Sequence, residues 1–279
     1  MVDIGGSYGD ARRALRSLLP QPLLNWREAR FYGRHGEVEL HLLEHLCRGE
    51  ADAIDVGAND GSYVHYMRRY SRHVFAYEPM PSLADGLRRK FPRGVTIEGI
   101  ALSDRTGTAE LRMPVVDGVV VTGCSTVSAN ASATYPGFRG IDVPMDRLDN
   151  VFRGHAAIIK IDVEGHELSV LGGAVETIRR CRPRVLVELL ETLAPGCVAQ
   201  ARAYFDRLGY RGWFVHAGEL KPIERFSVAE MQNPANLPDL TAPLQARQRF
   251  GRFIYNFIFL PPQEPDLTLW RMQERLREL

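Results

Sequence analysis

Short, nearly continuous apolar runs recur along the chain at residues 52–57, 73–78, 94–99, 156–162 and 184–188. Runs of that length, bounded by Gly or Pro, are the pattern of strands buried on both faces of a sheet. The segments between them carry apolar residues at helical spacing. Glu37–Arg48 places Val38, Leu42, Leu43 and Leu46 together, residues 61–71 follow the first strand, and Ser82 can cap a helix that ends near Phe91. Residues 167–180 place Leu168, Val170, Leu171, Ala174, Val175 and Ile178 on one side, and Pro195–Leu208 reads as a helix closed by Gly209. Further β-like runs lie at 210–215 and 253–260, and 264–279 reads as a charged amphipathic helix. Strand alternating with helix predicts an α/β fold: a mainly parallel sheet with helices on both faces and its ligand at the carboxyl ends of the strands.

Three stretches break that rhythm. Residues 1–35 have weak periodicity and read as an N-terminal helical extension. Residues 105–145 alternate, are rich in Gly, Ser and Thr, and read as β-hairpins inserted on the substrate side. Residues 217–250 read as loop with a hairpin. The expected organisation is an extension at 1–35, a main domain at 36–262 and a C-terminal helix at 263–279.

Composition narrows the classes. A chain of 279 residues with 45% hydrophobic and 25% charged residues is an ordinary globular protein. A net charge of +1 gives nucleic acid and anionic membranes no electrostatic hold. Cys47, Cys124, Cys181 and Cys197 form no CxxC pair and no zinc spacing. No apolar run approaches the ~20 residues that span a bilayer, and Met1–Pro20 lacks the apolar core of a secretion signal. The expectation is a cytoplasmic protein with reduced thiols and no membrane span.

The chemistry concentrates at two strand ends. Asp52-Ala53-Ile54-Asp55-Val56-Gly57-Ala58-Asn59-Asp60-Gly61 is a buried strand that ends in an acid and a glycine turn and opens a helix. The next apolar run closes on Glu78, 21 residues after Gly57. That fits the roughly 20-residue offset at which an acid reaches ribose hydroxyls. A pyrophosphate cofactor needs Gly-x-Gly, yet Asn59 fills the second glycine's slot, and Asp55 would repel a diphosphate. The turn suits a nucleoside with a cationic tail and no phosphate, and S-adenosylmethionine has that chemistry. The second cluster, Ile158-Ile159-Lys160-Ile161-Asp162-Val163-Glu164-Gly165-His166-Glu167, crowds ionisable groups into one turn. Glu164 and Glu167 also suit a plain helix start, where the helix dipole favours acids. A third motif, His41-Leu42-Leu43-Glu44-His45, matches the H-x-x-E-H pattern of zinc peptidases. It stands alone against a chain that otherwise reads as nucleoside-binding.

The blocks resemble those of FkbM-family S-adenosylmethionine-dependent methyltransferases. They are IDVGANDGSY at 54–63, VFAYEPMPS at 74–82, GIALSDRTGTAEL at 99–111, PMDRLDN at 144–150, IIKIDVEGHELSVLGGA at 158–174, VLVE at 185–188 and NFIFLP at 256–261. The family pattern often has Asn where Met80 stands. The resemblance implies a Rossmann-like class I methyltransferase fold with an antiparallel C-terminal strand. It implies a cofactor site of Asp55, Gly57, Asn59, Gly61, Glu78, Pro79, Ala101, Ser103 and Asp162. It also implies transfer of methyl to a hydroxyl oxygen of a sugar, glycan or polyketide-like product.

An alcohol must lose its proton as it attacks, and the candidate bases are Asp162, His166 and Glu164. No metal is expected, although Asp162 and Glu164 offer hard oxygen ligands. Arg112, Arg139 and Arg153 could grip an acidic acceptor, and Tyr135, Phe138, Trp213 and Phe214 could stack on a sugar. The terminal segments could support a homodimer. The alternatives are a nicotinamide-dependent oxidoreductase, by fold analogy, and a cofactor-binding protein without catalysis.

Overall fold

The computed structural model describes residues 21–116, 119–120, 122–128, 137–236, 250–264 and 266–279. The first 20 residues of the expected extension, residues 237–249 and Tyr135 lie outside them. The chain opens with α1 (Gln21–His35), a 3₁₀ turn at Val38–Leu42 and a short helix at Leu43–Leu46. Then follow β1 (Asp52–Val56), α2 (Ser62–Tyr70), β2 (Val74–Tyr77), α3 (Pro81–Lys90), β3 (Val95–Glu98) and β4 (Ala101–Leu102). An insertion carries β5 (Gly107–Val116), β6 (Val119–Val120) and β7 (Phe138–Asp146). The second half runs β8 (Ala156–Ile161), α4 (Glu167–Gly172), α5 (Val175–Cys181), β9 (Arg184–Glu188), α6 (Cys197–Asp206), β10 (Arg211–His216), β11 (Glu219–Pro222), β12 (Asn256–Leu260) and α7 (Asp266–Arg277).

Eight strands form one sheet in the order β11-β10-β12-β9-β8-β1-β2-β3. The five from β9 to β3 are parallel, whereas β12, β10 and β11 pair antiparallel. Every residue of β1, β8 and β12 is buried, which is why these segments read as nearly continuous apolar runs, with Asp52, Asp55, Lys160 and Asn256 as buried polar exceptions. One face packs Ile54, Ile159, Val185 and Phe257 under α4, α5 and α6. The other packs Ala53, Ile158, Leu186 and Ile258 under α2, α7 and the Val38–Leu46 segment. From β1 the chain winds outward to β3, then returns to β8 on the other side of β1. The carboxyl ends of β1 and β8 therefore flank a topological switch point, where such sheets bind ligands.

The insertion forms a second sheet, β4-β7-β5-β6, whose long β5–β7 ladder stands on its own core of Met80, Ala101, Leu111, Met113, Val143 and Met145. Two helical expectations are corrected. The 167–180 segment is two helices, because Gly173 lies against the 103 turn and a Cβ there would stand 1.8 Å from the Ser103 carbonyl oxygen. The Glu37–Arg48 segment begins as a 3₁₀ turn. Asn256 Nδ2 reaches both Glu37 and Glu39, residues that an α-helix would turn away from each other. Among the described residues no helix is long and apolar enough to cross a membrane, and none of the four cysteines is in a disulfide.

Candidate active site

A cleft with about 610 Å³ of empty space, part of it open to solvent, lies at the switch point. One half is built on the turns after β1 and β2. Gly57 takes φ +79°, and a Cβ there would lie 1.8 Å from the Asp162 carbonyl oxygen, so only glycine lets the two turns touch. Asn59 follows at φ +48°, a left-handed conformation that Asn tolerates. The buried Glu78 carboxylate accepts the Asn59 N–H at 2.7 Å on Oε2 and the Met80 N–H at 2.9 Å on Oε1. Each oxygen keeps a lone pair, so the group is fixed by backbone and can still accept from a ligand diol. Burial raises its pKa, against the pull of those two N–H donors. Ile100, Ala101 and Leu102 form an apolar wall, and Leu111, Ser125, Thr126 and Val127 of the insertion close the far side.

The other half is acidic. Asp55 and Lys160 are register partners on β1 and β8, with side chains on one sheet face, and Asp162 follows two residues on. The Lys160 ammonium donates to Asp162 Oδ2 at 2.8 Å, lies 3.9 Å from Asp55 Oδ1, and sits 4.5 Å from the centre of the Tyr63 ring. Burial opposes that charge, but the carboxylates of Asp162, Asp55 and Glu37 outweigh it and hold the lysine above its ordinary range. Asp55 is fully buried and neither of its oxygens accepts a hydrogen bond. Burial pushes it up to about 6, although Lys160 pulls the other way. Glu37 accepts from the Tyr63 hydroxyl at 2.5 Å and from Asn256 Nδ2 at 3.1 Å, and burial raises it also. Glu39 beside it is pushed up to about 8 by burial and then by Glu37.

Glu164 stands in a left-handed conformation at φ +54°, a costly choice for this residue type that marks the turn as constrained. Beneath it the Glu167 carboxylate accepts the N–H groups of Val163 and Gly165. Burial and then Asp162 push Glu164 up to about 8, and burial raises Glu188 at the end of β9. Among the described residues, Asp162, Glu164 and Glu188 bring one carboxylate oxygen each within 4.8 Å of one another. Lys160 already supplies Asp162 with a cation, and acids this close also share protons, so the cluster alone assigns no metal.

The structure gathers Gly57, Asn59, Glu78, Pro79, Ala101, Asp162 and Glu164 on the cleft wall. Asp55 lies beneath that wall, and Gly61 packs against Leu87 and Phe91. Ser103 is buried off the cleft with its hydroxyl 2.9 Å from His166 Nε2, so His166 ties the 103 turn to the start of α4. Burial lowers the His166 pKa. Arg153 precedes β8, at the opposite end of the sheet from the cleft, and Arg112 is paired with Glu110. Phe214 is core, packed between Phe226 and Phe257. His41 and His45 fall on either side of the junction between the 3₁₀ turn and the helix, which breaks the single helix face that zinc ligation needs.

Sequence reasoning missed Lys160, Glu37, Tyr63 and Glu188. Lys160 had a signal, since a lysine inside a fully apolar strand must have buried partners. Glu37 had none, because its partners Tyr63 and Asn256 lie 26 and 219 residues further along the chain.

The geometry fits a nucleoside carrying a cationic tail. A diol acceptor is preformed, a Cβ-free cradle adjoins it, and acids outnumber cations where the tail would lie. The Methyltransferase FkbM domain model matches residues 55–211. No curated protein matches the chain. Among solved structures, the chain is similar to the methyltransferase FkbM of Methylobacillus flagellatus KT, at 15% identity and TM-score 0.47. The match covers 76% of this chain and 44% of that one, so the chain spans less than half of that protein. It is also similar to an rRNA methylase of Streptococcus thermophilus, at 9% identity and TM-score 0.44 over 81% of this chain and 95% of that one. A SAM-dependent O-methyltransferase of Thermotoga maritima matches at 11% identity and TM-score 0.35, over 86% of this chain and 66% of that one. At such identities and TM-scores nothing about activity follows from these three structures.

Proposed function

The chain belongs to the FkbM methyltransferase family, with S-adenosylmethionine as its cofactor, and on that premise we propose that it methylates a hydroxyl oxygen of a sugar, glycan or polyketide-like small molecule. The observation that carries this reading is the division of one cleft into a backbone-held Glu78 and an acidic wall of Asp162 and Glu164. When bound, S-adenosylmethionine supplies a methyl group on a sulfonium that is already a good leaving group. The chain's own work is then to bind, orient and deprotonate. Glu78 takes the ribose hydroxyls, the Gly57 turn leaves room for the tail, and Ala101 lies against the base. Much of the rate comes from holding the acceptor oxygen in line, an effect that reaches ~7–11 kcal/mol in favourable cases.

Asp162 and Glu164 reach the cleft, and either, in its ionised form, can accept the acceptor's proton; such a base contributes typically ~10²–10⁴-fold. His166, bonded to Ser103, is placed less well for that task. The insertion strands and the 217–236 segment shape the acceptor side. The test begins with calorimetry of S-adenosylmethionine and NADH on the wild-type protein and on Glu78→Ala. Hydroxylated sugars, lipid-linked glycans and polyketide alcohols are then screened for a methyl-mass gain. Binding of S-adenosylmethionine that weakens in Glu78→Ala, with methyl on an acceptor oxygen, supports the proposal. Methyl found on nitrogen or carbon overturns the O-methylation.

A further inference from the structure

The buried ammonium of Lys160 is held on three sides, by Asp162 Oδ2, Asp55 Oδ1 and the face of Tyr63. A buried ion pair gives a fold little net stability, because desolvation consumes most of the attraction. Its position is therefore better explained by what it fixes. Asp162 has two carboxylate oxygens; Lys160 takes one, and the residue lines the cleft with a side chain that is 25% exposed. We propose that Lys160 is a positioning residue of the methyltransferase site. It locks the Asp162 carboxylate by one oxygen, so that the other is presented to the cationic end of the cofactor.

The inference rests on the cofactor reading and adds a residue to it. Three features support it beyond the single contact. Lys160 cannot swing away, since β8 is buried along its whole length and Tyr63 covers the ammonium. It is 4% exposed, so it does not itself meet a ligand. The Asp162 backbone lies against Gly57, which fixes where the free carboxylate oxygen points relative to the cofactor turn.

The test is a double-mutant cycle read by calorimetry with S-adenosylmethionine, on wild type, Lys160→Met, Asp162→Asn and the pair, with thermal unfolding measured alongside. Each single variant is expected to bind about tenfold or more weakly, the range for a hydrogen bond to a charged group. The pair is expected to bind no more weakly than Asp162→Asn alone, because Lys160 acts through Asp162. Lys160→Arg, which keeps the charge, is expected to recover part of the affinity. Losses that multiply in the pair, with Lys160→Arg no better than Lys160→Met, would overturn the proposal and leave Lys160 a structural residue. If Lys160→Met does not fold, the cycle is repeated in Asp55→Asn, which removes the second buried charge along with the lysine. A wild-type protein that does not bind S-adenosylmethionine refutes the cofactor reading instead, so the two failures are distinct.

Discussion

The two halves of the cleft hold their acids by opposite means. On the nucleoside side, Glu78 is satisfied by two backbone N–H groups supplied by its own turn and the one before it. On the acidic side, Asp55, Glu37, Asp162, Glu164 and Glu188 face one another around Lys160. The first arrangement is rigid and complete without a ligand. The second crowds acids whose ionisation burial opposes and a cationic ligand would favour. One half is thus built for shape and the other for charge, and the two should respond differently to substitution and to pH.

Gly57→Ala strikes where the halves meet. The added Cβ has no room against the Asp162 carbonyl, and φ +79° is unfavourable for alanine by roughly 1–2 kcal/mol before any clash. Loss of measurable cofactor binding and a lowered thermal midpoint are expected; a variant that binds like wild type would mean the turns are free to part. Glu78→Ala comes next. It removes a charged acceptor from two backbone donors and, on the proposed function, from the ribose, so calorimetry should show binding weakened by about 10–100-fold. A loss as small as threefold would show that the nucleoside half does not depend on this carboxylate.

The acidic half should show itself in pH. Asp55 at about 6, and Glu39 and Glu164 each at about 8, keep protons in the folded protein that the unfolded chain has lost above its ordinary 3.8 to 4.5. Folding therefore takes up protons across that interval, and the ligand-free protein should lose stability as pH rises from about 4.5 to about 8. Thermal midpoints at the two ends of the window test this, and a midpoint that rises with pH would remove the charge argument. Cofactor affinity should climb over the same interval, as the acids ionise around a cation. The smallest effect is expected from His166→Gln. The ring lies off the cleft, so affinity should change by less than about threefold. Turnover should fall less than in Glu164→Gln; the reverse order would return the base to His166.

The same contrast explains what could be read from the residues alone. The nucleoside half is local: β1, its glycine turn and Glu78 lie within 27 consecutive residues, 52–78, and each carries its own propensity signal. Strand positions and the β-rich character of the insertion were legible for the same reason, since hydrophobic period reports burial directly, whereas the antiparallel direction of β12 came from the family resemblance alone. The acidic chamber is not local. Glu37 lies just before the 3₁₀ turn, Tyr63 in α2, and Lys160, Glu188 and Asn256 in three strands, so sheet register and the packing of two further segments on the sheet bring them together. The split of 167–180 was hidden too, because Gly173 is a helix break only once the Ser103 carbonyl is beside it.

The position of β12 has a consequence for synthesis. Residues 256–260 slot between β9 and β10, which precede them in the chain. Until they emerge, the sheet has a gap one strand wide, with unpaired N–H and C=O groups on both sides. The 40 residues from the end of β10 at His216 to Asn256 take about 2–8 s to translate at ~5–20 residues per second. For that interval the nascent chain shows two raw β edges to its surroundings, and a product shortened before residue 256 would show them permanently.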